Sequence, residues 1–275
     1  MLYIVAYMKV ITPGPDSIGA YVRSIVAYRR LILVFARQEL TAMYVQTRLG
    51  ILWAIIKPLL TLAVFTIIFR FFLQVSTSSP YYLFAFAGML SWNLFSQIAI
   101  NASTAVVHKQ NVIRKMYFPK LVLVFSKVLI ALAEFLISLA VMCVCLLWEH
   151  VLPGINWLAL PVFVLLNIVC GLSIAVWMNA LNIRFRDLYQ LVPTALSIGV
   201  WITPVFYPTT IIPSQYNFFV YANPMAGIIK GYRYALLNEP FPEIQYWYAI
   251  GIIVLIAVAG LWYFSRVEDQ MADSA

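Results

Sequence analysis

The chain has 275 residues, of which 64% are hydrophobic and only 10% charged, whereas an average soluble domain is roughly half apolar and about a quarter charged. That composition excludes a soluble globular enzyme and marks an integral membrane protein. The formal charge of +8 is what lysine and arginine retained on the cytoplasmic side of a multi-pass chain produce, and it does not by itself indicate nucleic acid.

Cys143, Cys145 and Cys170 lie in apolar runs with no histidine or acid at ligand spacing, so they read as small packing residues, with no disulfide framework or metal site. GxxxxGK[ST], GxSxG and HExxH are all absent from the sequence. The chain is therefore expected to be no enzyme and to bind no cofactor, so any ATP and Mg that drive it belong to another subunit. Leu2 to Met8 carries no preceding basic residues and is followed at once by Pro13, Gly14 and Pro15. It does not read as a signal peptide, and insertion is expected to use internal spans.

The segment 17–47 reads as a helix with Arg23, Arg30, Arg37 and Tyr44 at seven-residue spacing, hence on one face, and an apolar run from Leu31 to Ala36. It is too short in apolar length to span a bilayer and suits a cytoplasmic interface helix; a partner-binding helix is the alternative, and both roles are compatible. Spans are expected at about 51–73, 81–107, 121–147, 157–181, 188–207 and 246–264. Pro58 should kink the first unless neighbours compensate. Glu134 falls near the middle of the third, where a carboxylate costs about 2.5 to 3.5 kcal/mol and must face the bundle interior, pair, or stay protonated.

Between spans two and three the basic loop 108–120 places Val112, Ile113, Met116 and Tyr117 at the spacing of one helical face. It is either a short amphipathic helix or a charged turn that only fixes topology. The loop 182–187 is basic too. From Trp201 to Arg233 the chain is apolar but interrupted by Pro204, Pro208, Pro213 and Pro224 and by Lys230 and Arg233. Such a segment survives at membrane depth only against protein or a water-filled cavity.

Thirteen lysines and arginines fall in the segments assigned to the cytoplasm, two outside and three within spans. Six spans with both termini cytoplasmic satisfy that distribution, and a seventh span over 211–236 would bury Lys230 and Arg233. The segment 208–236 is therefore expected to form two short re-entrant helices on the outer side, one from near Ser214 and one from Pro224. Asn223 should cap the second, with Pro224 at its first position.

Several stretches together resemble the permease subunits of ABC exporters of bacterial polysaccharides, which handle O-antigen, capsule or teichoic acid. They are LGILW at 49–53 followed by Pro58, the basic loop ending in Phe118 and Pro119, RFRD at 184–187, PVFYP at 204–208 and NPMAGIIKGYR at 223–233. Their order and spacing cover about 190 residues, but not the first twenty. The resemblance implies an all-α membrane protein, one transmembrane domain over 1–275, with six transmembrane helices, an amphipathic N-terminal interface helix and two short re-entrant helices between spans five and six. It implies a homodimer in the bacterial inner membrane bound to two copies of a cytoplasmic ABC ATPase, with a lipid-linked polysaccharide, most like O-antigen, as substrate. Nucleic acid is not an implied partner.

The family's coupling helix falls on Asn111, Val112, Ile113, Arg114, Lys115, Met116, Tyr117 and Phe118, and its interface helix carries Arg30 and Arg37 toward the ATPase. Trp53, Trp92, Trp201, Phe206, Tyr207, Phe218, Tyr221, Asn223 and Arg233 are the residues expected at a channel or its exit between the subunits. Membrane-interface belts account for many aromatics without any ligand, so those in the broken stretch stand out most. Two other functions compete. Glu134 motivates a proton-coupled secondary transporter, and a polytopic glycosyltransferase ranks last because the acids are scattered singly.

Overall fold

A computed structural model describes residues 18–45, 48–72, 74, 76–113, 118–151, 154–182 and 188–267. All regular structure among them is helical. In chain order the helices are α1 (Ile18–Ala27), α2 (Arg29–Val45), α3 (Trp53–Thr66), α4 (Tyr81–Ser103), α5 (Ala105–His108), α6 (Gln110–Ile113), α7 (Leu121–Trp148), α8 (Leu160–Asn182), α9 (Leu188–Ile202), α10 (Asn217–Tyr221), α11 (Pro224–Leu237) and α12 (Ile244–Val267). A π-helical turn, Ile67–Phe72, continues α3.

Among the described residues five helices are long and apolar enough to cross a bilayer: Trp53–Phe72, Tyr81–Ser103, Leu121–Trp148, Ile155–Leu181 and Ile244–Arg266. The expected fifth span is shorter than 188–207. Its helix, α9, stops at Ile202, because the residue before Pro204 is driven out of the helical region by the proline ring. Fifteen residues reach only about 22 Å, less than a ~30 Å hydrocarbon core.

The bundle is built around α4, which packs against α3, α7, α8, α9 and α11. Its buried residues include large ones such as Phe86, Leu90 and Ile98, and among them small ones, Ala85, Ala87, Gly88, Ser91, Ala99, Ala102 and Ser103, let neighbouring backbones approach closely in a medium that gives no hydrophobic drive between helices. At Gly88 a Cβ would overlap the Val205 carbonyl. The contact between α4 and α8 is fixed by amides: Asn167 Nδ2 donates to the Ser91 carbonyl at 2.9 Å and to its hydroxyl at 3.0 Å.

Two expected elements are interrupted. The N-terminal helix breaks at Tyr28, so α1 packs on α12 while α2 packs on α7. The second span breaks at Thr104, so that α4 ends four residues short of 107. Asn179 of α8 satisfies backbone groups on both sides of that break, donating to the Ala102 carbonyl at 2.5 Å and accepting from the Val106 amide at 3.3 Å.

Candidate functional site

Three regions carry the residues singled out above. At one end of the bundle, α2 lies against α7. Arg30 and Arg37 are exposed on the outer face of α2, while its inner side is tied down by the Glu39–Lys127 ion pair and by the Tyr44 hydroxyl, which donates to Glu134 at 2.8 Å. Phe118, expected on a partner-facing surface, is instead buried, its ring 5.8 Å from that of Phe35. It packs against α2. Asn111 is exposed, and Val112 and Ile113 are half-buried against the main core at the end of α6. Arg114, Lys115, Met116 and Tyr117 lie outside the described residues, as does RFRD at 184–187.

Beside this end lies a cavity of about 510 Å³ between α2, α3, α4 and α7. Each bundle helix brings to it a stripe at four-residue spacing, one helical face: Trp53, Lys57 and Thr61 from α3, Asn93 and Gln97 from α4, Glu134 and Ser138 from α7. Glu134 is held by two neutral donors, Tyr44 and the Gln97 amide at 3.0 Å, and Asn101 donates to Gln97 at 2.6 Å. Thus the Glu134 carboxyl, near the middle of α7, faces the bundle interior and is hydrogen-bonded, which lowers the cost a carboxyl carries inside an apolar span. Asn93, Gln97 and Ser138 were missed from the sequence. Their signal was the spacing of Asn93, Gln97 and Asn101 along an otherwise apolar span.

The third region is the proline-broken stretch. Trp201, Phe218 and Phe219 are exposed, whereas Trp92 and Phe206 are buried. Phe206 stacks on Phe65 with ring centroids 3.6 Å apart, and its carbonyl accepts from Tyr81 at 2.8 Å. The Tyr207 hydroxyl shares its one proton between the Trp201 and Ile202 carbonyls, at 3.0 and 2.9 Å, which meets carbonyls left open at the end of α9. Tyr221 is half-buried, 4.9 Å from the Tyr246 ring.

Asn223 caps α11 as its sequence suggests, accepting from the Met225 amide at 3.0 Å with Pro224 at the first turn, while its own amide donates to Thr203 at 2.9 Å. Arg233 is 4% exposed, lies 3.4 Å from the Phe84 ring centroid and donates to the Val205 carbonyl at 2.7 Å and the Phe84 carbonyl at 3.4 Å. Lys230 pairs with Glu243 at 2.6 Å. Burial raises the Glu243 carboxyl, but hydrogen bonds from Lys230 and its charge outweigh this and hold it below the ordinary carboxylate value.

Among the described residues no three His, Cys, Asp or Glu side chains are grouped to hold a metal. What remains is a helical membrane bundle with a cavity of mixed polar and apolar lining, a charged end and a pinned irregular segment. The family model for ABC-2 type transporters matches residues 30–237, most of the chain and all three regions. The chain belongs to the ABC-2 type transporter family. This ABC-2 protein is 26% identical over 246 residues to the O-antigen export system permease protein RfbA of Klebsiella pneumoniae, covering 88% of this chain and 94% of that one. It is 28% identical over 252 residues to the protein of the same name from Myxococcus xanthus, covering 90% and 95%. The capsule polysaccharide export inner-membrane protein CtrC of Neisseria meningitidis is 21% identical over 264 residues, covering 91% and 97%. Like its family, the ABC-2 chain is a membrane-spanning transport permease.

Proposed function

We propose that this chain is the permease half of an ATP-driven exporter that passes a lipid-linked, O-antigen-like polysaccharide across a bacterial inner membrane. The observation that carries this is end-to-end similarity to O-antigen export permeases, about nine-tenths of each chain. Capsule and teichoic acid permeases are the alternatives within the family, the former supported by the CtrC similarity. In this reading α9 and the turn after it complete a sixth crossing. The helices from Ser214 and Pro224 re-enter the outer leaflet, and both termini are cytoplasmic.

The working unit is a homodimer with two copies of a separate ATPase, which holds ATP and Mg. The partner contacts are Asn111, Val112, Ile113, Arg114, Lys115, Met116 and Tyr117, with Arg30 and Arg37 on α2. The apolar faces of α3 and α9 suit a channel between protomers, with Trp53, Trp201, Phe218 and Tyr221 as its aromatic lining. Trp92, Phe206 and Arg233, being buried, support that lining from behind.

Co-reconstitution into lipid vesicles tests the reading. Glycolipid translocation is expected only when the ATPase and ATP accompany the permease. Uptake by the permease alone, driven by a pH gradient, would replace this account with a proton-coupled transporter. Against that second reading, Glu134 is met by a tyrosine and an amide, and among the described residues no second acid lines the cavity.

A further inference from the structure

We infer that the cavity between α2, α3, α4 and α7 is a binding site for a single hydroxylated sugar ring, held within one protomer. The inference rests on the export reading and goes beyond it. It assigns sugar recognition to Asn93, Gln97, Glu134 and Ser138, with Trp53 shared between this cavity and the aromatic surface between protomers.

The occupant's chemistry follows from the lining. The lining is mixed: polar side chains reach the cavity from three helices at matched four-residue spacing, set among apolar ones such as Met89, Leu90 and Phe135. At about 510 Å³ its volume falls in the range of roughly 300 to 1,000 Å³ typical of small-molecule sites, which are mostly apolar with a few placed polar groups. A lipid tail there would strip water from the Asn93 amide, the Lys57 ammonium and the Ser138 hydroxyl without replacing its hydrogen bonds, at about 1 to 3 kcal/mol for each group. An anion would meet Lys57 but also the Glu134 carboxylate. A metal cation would find one carboxylate, too few hard oxygen ligands for a site.

Hydroxyls both donate and accept, so a neutral polyol pairs with carboxylate, amide and ammonium at once. Trp53, on the same face of α3 as Lys57 and Thr61, adds a flat apolar surface beside this polar set. Two groups are already oriented: Glu134 is fixed by Tyr44 and Gln97, and Gln97 by Asn101. Little side-chain freedom is then lost when a ring binds.

The test is photocrosslinking in cells that make the whole exporter. A small diazirine-bearing residue replaces Ser138 or Thr61 in the cavity, Phe218 in the irregular stretch, or Leu255, an exposed position on α12. After illumination, periodate-sensitive glycan on the chain is measured. Adducts are expected at Ser138 and Thr61, at least about tenfold above Leu255. Asn93→Leu should lower them about fivefold to tenfold, the equivalent of roughly one hydrogen bond, and Asn93→Ser should restore part of the yield. Elution of each variant as a single complex confirms that it folds.

Glycan adducts at Phe218 but none in the cavity would overturn the inference and leave the export reading standing. Lipid-only adducts at Ser138, or yields indifferent to Asn93→Leu, would overturn it equally. Glycan adducts nowhere would remove both.

Discussion

Helices α3 and α4 are neighbours with opposite fates. The α4 span is the less apolar of the two, yet 78% of its most apolar window is buried inside the protomer, against 11% for the span formed by α3 and its π-helical turn. In water that order would be reversed. In lipid, apolar side chains gain nothing by leaving the solvent, so the interior goes to helices that pack closely or carry polar groups. Small residues and Ser91 placed α4 at the centre, while Leu60, Val64, Ile67, Phe71 and Phe72 leave the α3 span uncovered.

Four substitutions sharpen this contrast, each read as thermal unfolding of the purified protein in detergent. The largest effect is expected from Arg233→Leu, which strands the Val205 and Phe84 carbonyls beside α4. Hydrogen bonds to a buried charge are worth about 1.5 to 3 kcal/mol each, so a loss of about 3 kcal/mol is expected, together with release of the turn after α9. Gly88→Val follows, at about 2 to 3 kcal/mol, because the obstructing atom is a backbone carbonyl held by Arg233.

Asn167→Leu should cost about 1 kcal/mol, the scale of an interhelical side-chain hydrogen bond in a membrane. Leu60→Ala on the exposed face of α3 should change the fold's stability by less than about 0.5 kcal/mol. If Leu60→Ala matched Gly88→Val, the difference between the two helices would not be one of packing within the protomer.

The sequence made the spans legible where apolar length and charge placement agree. It also made the Asn223–Pro224 cap legible, since a helix start depends on local chemistry. The break at Thr104 was not legible, because its backbone groups are satisfied by Asn179, more than seventy residues away. Nor was the early end of α9 separated from the apolar turn behind it, since hydropathy does not see hydrogen bonding. Arg233 looked like a charge near an exit and proved to be a buried brace, and Phe118, expected at the end of a partner-facing loop, proved to be buried against α2. In both cases composition gives the residue type, while the long-range partner decides where the side chain lies.

The cavity lies between these cases. Its polar stripes are visible as four-residue spacing in three spans, but only the fold turns them toward one another. Tyr44 was placed on a basic face with Arg30 and Arg37; in the structure it points inward to Glu134 and joins the interface helix to the cavity.

The most direct measurement is the location of the glycan in cells that lack this chain. Lipid-linked polysaccharide is expected to accumulate on the cytoplasmic side while the surface loses it, with restoration by this chain only when its ATPase partner is present. Unchanged surface glycan in those cells, or restoration without any ATPase, would contradict the account.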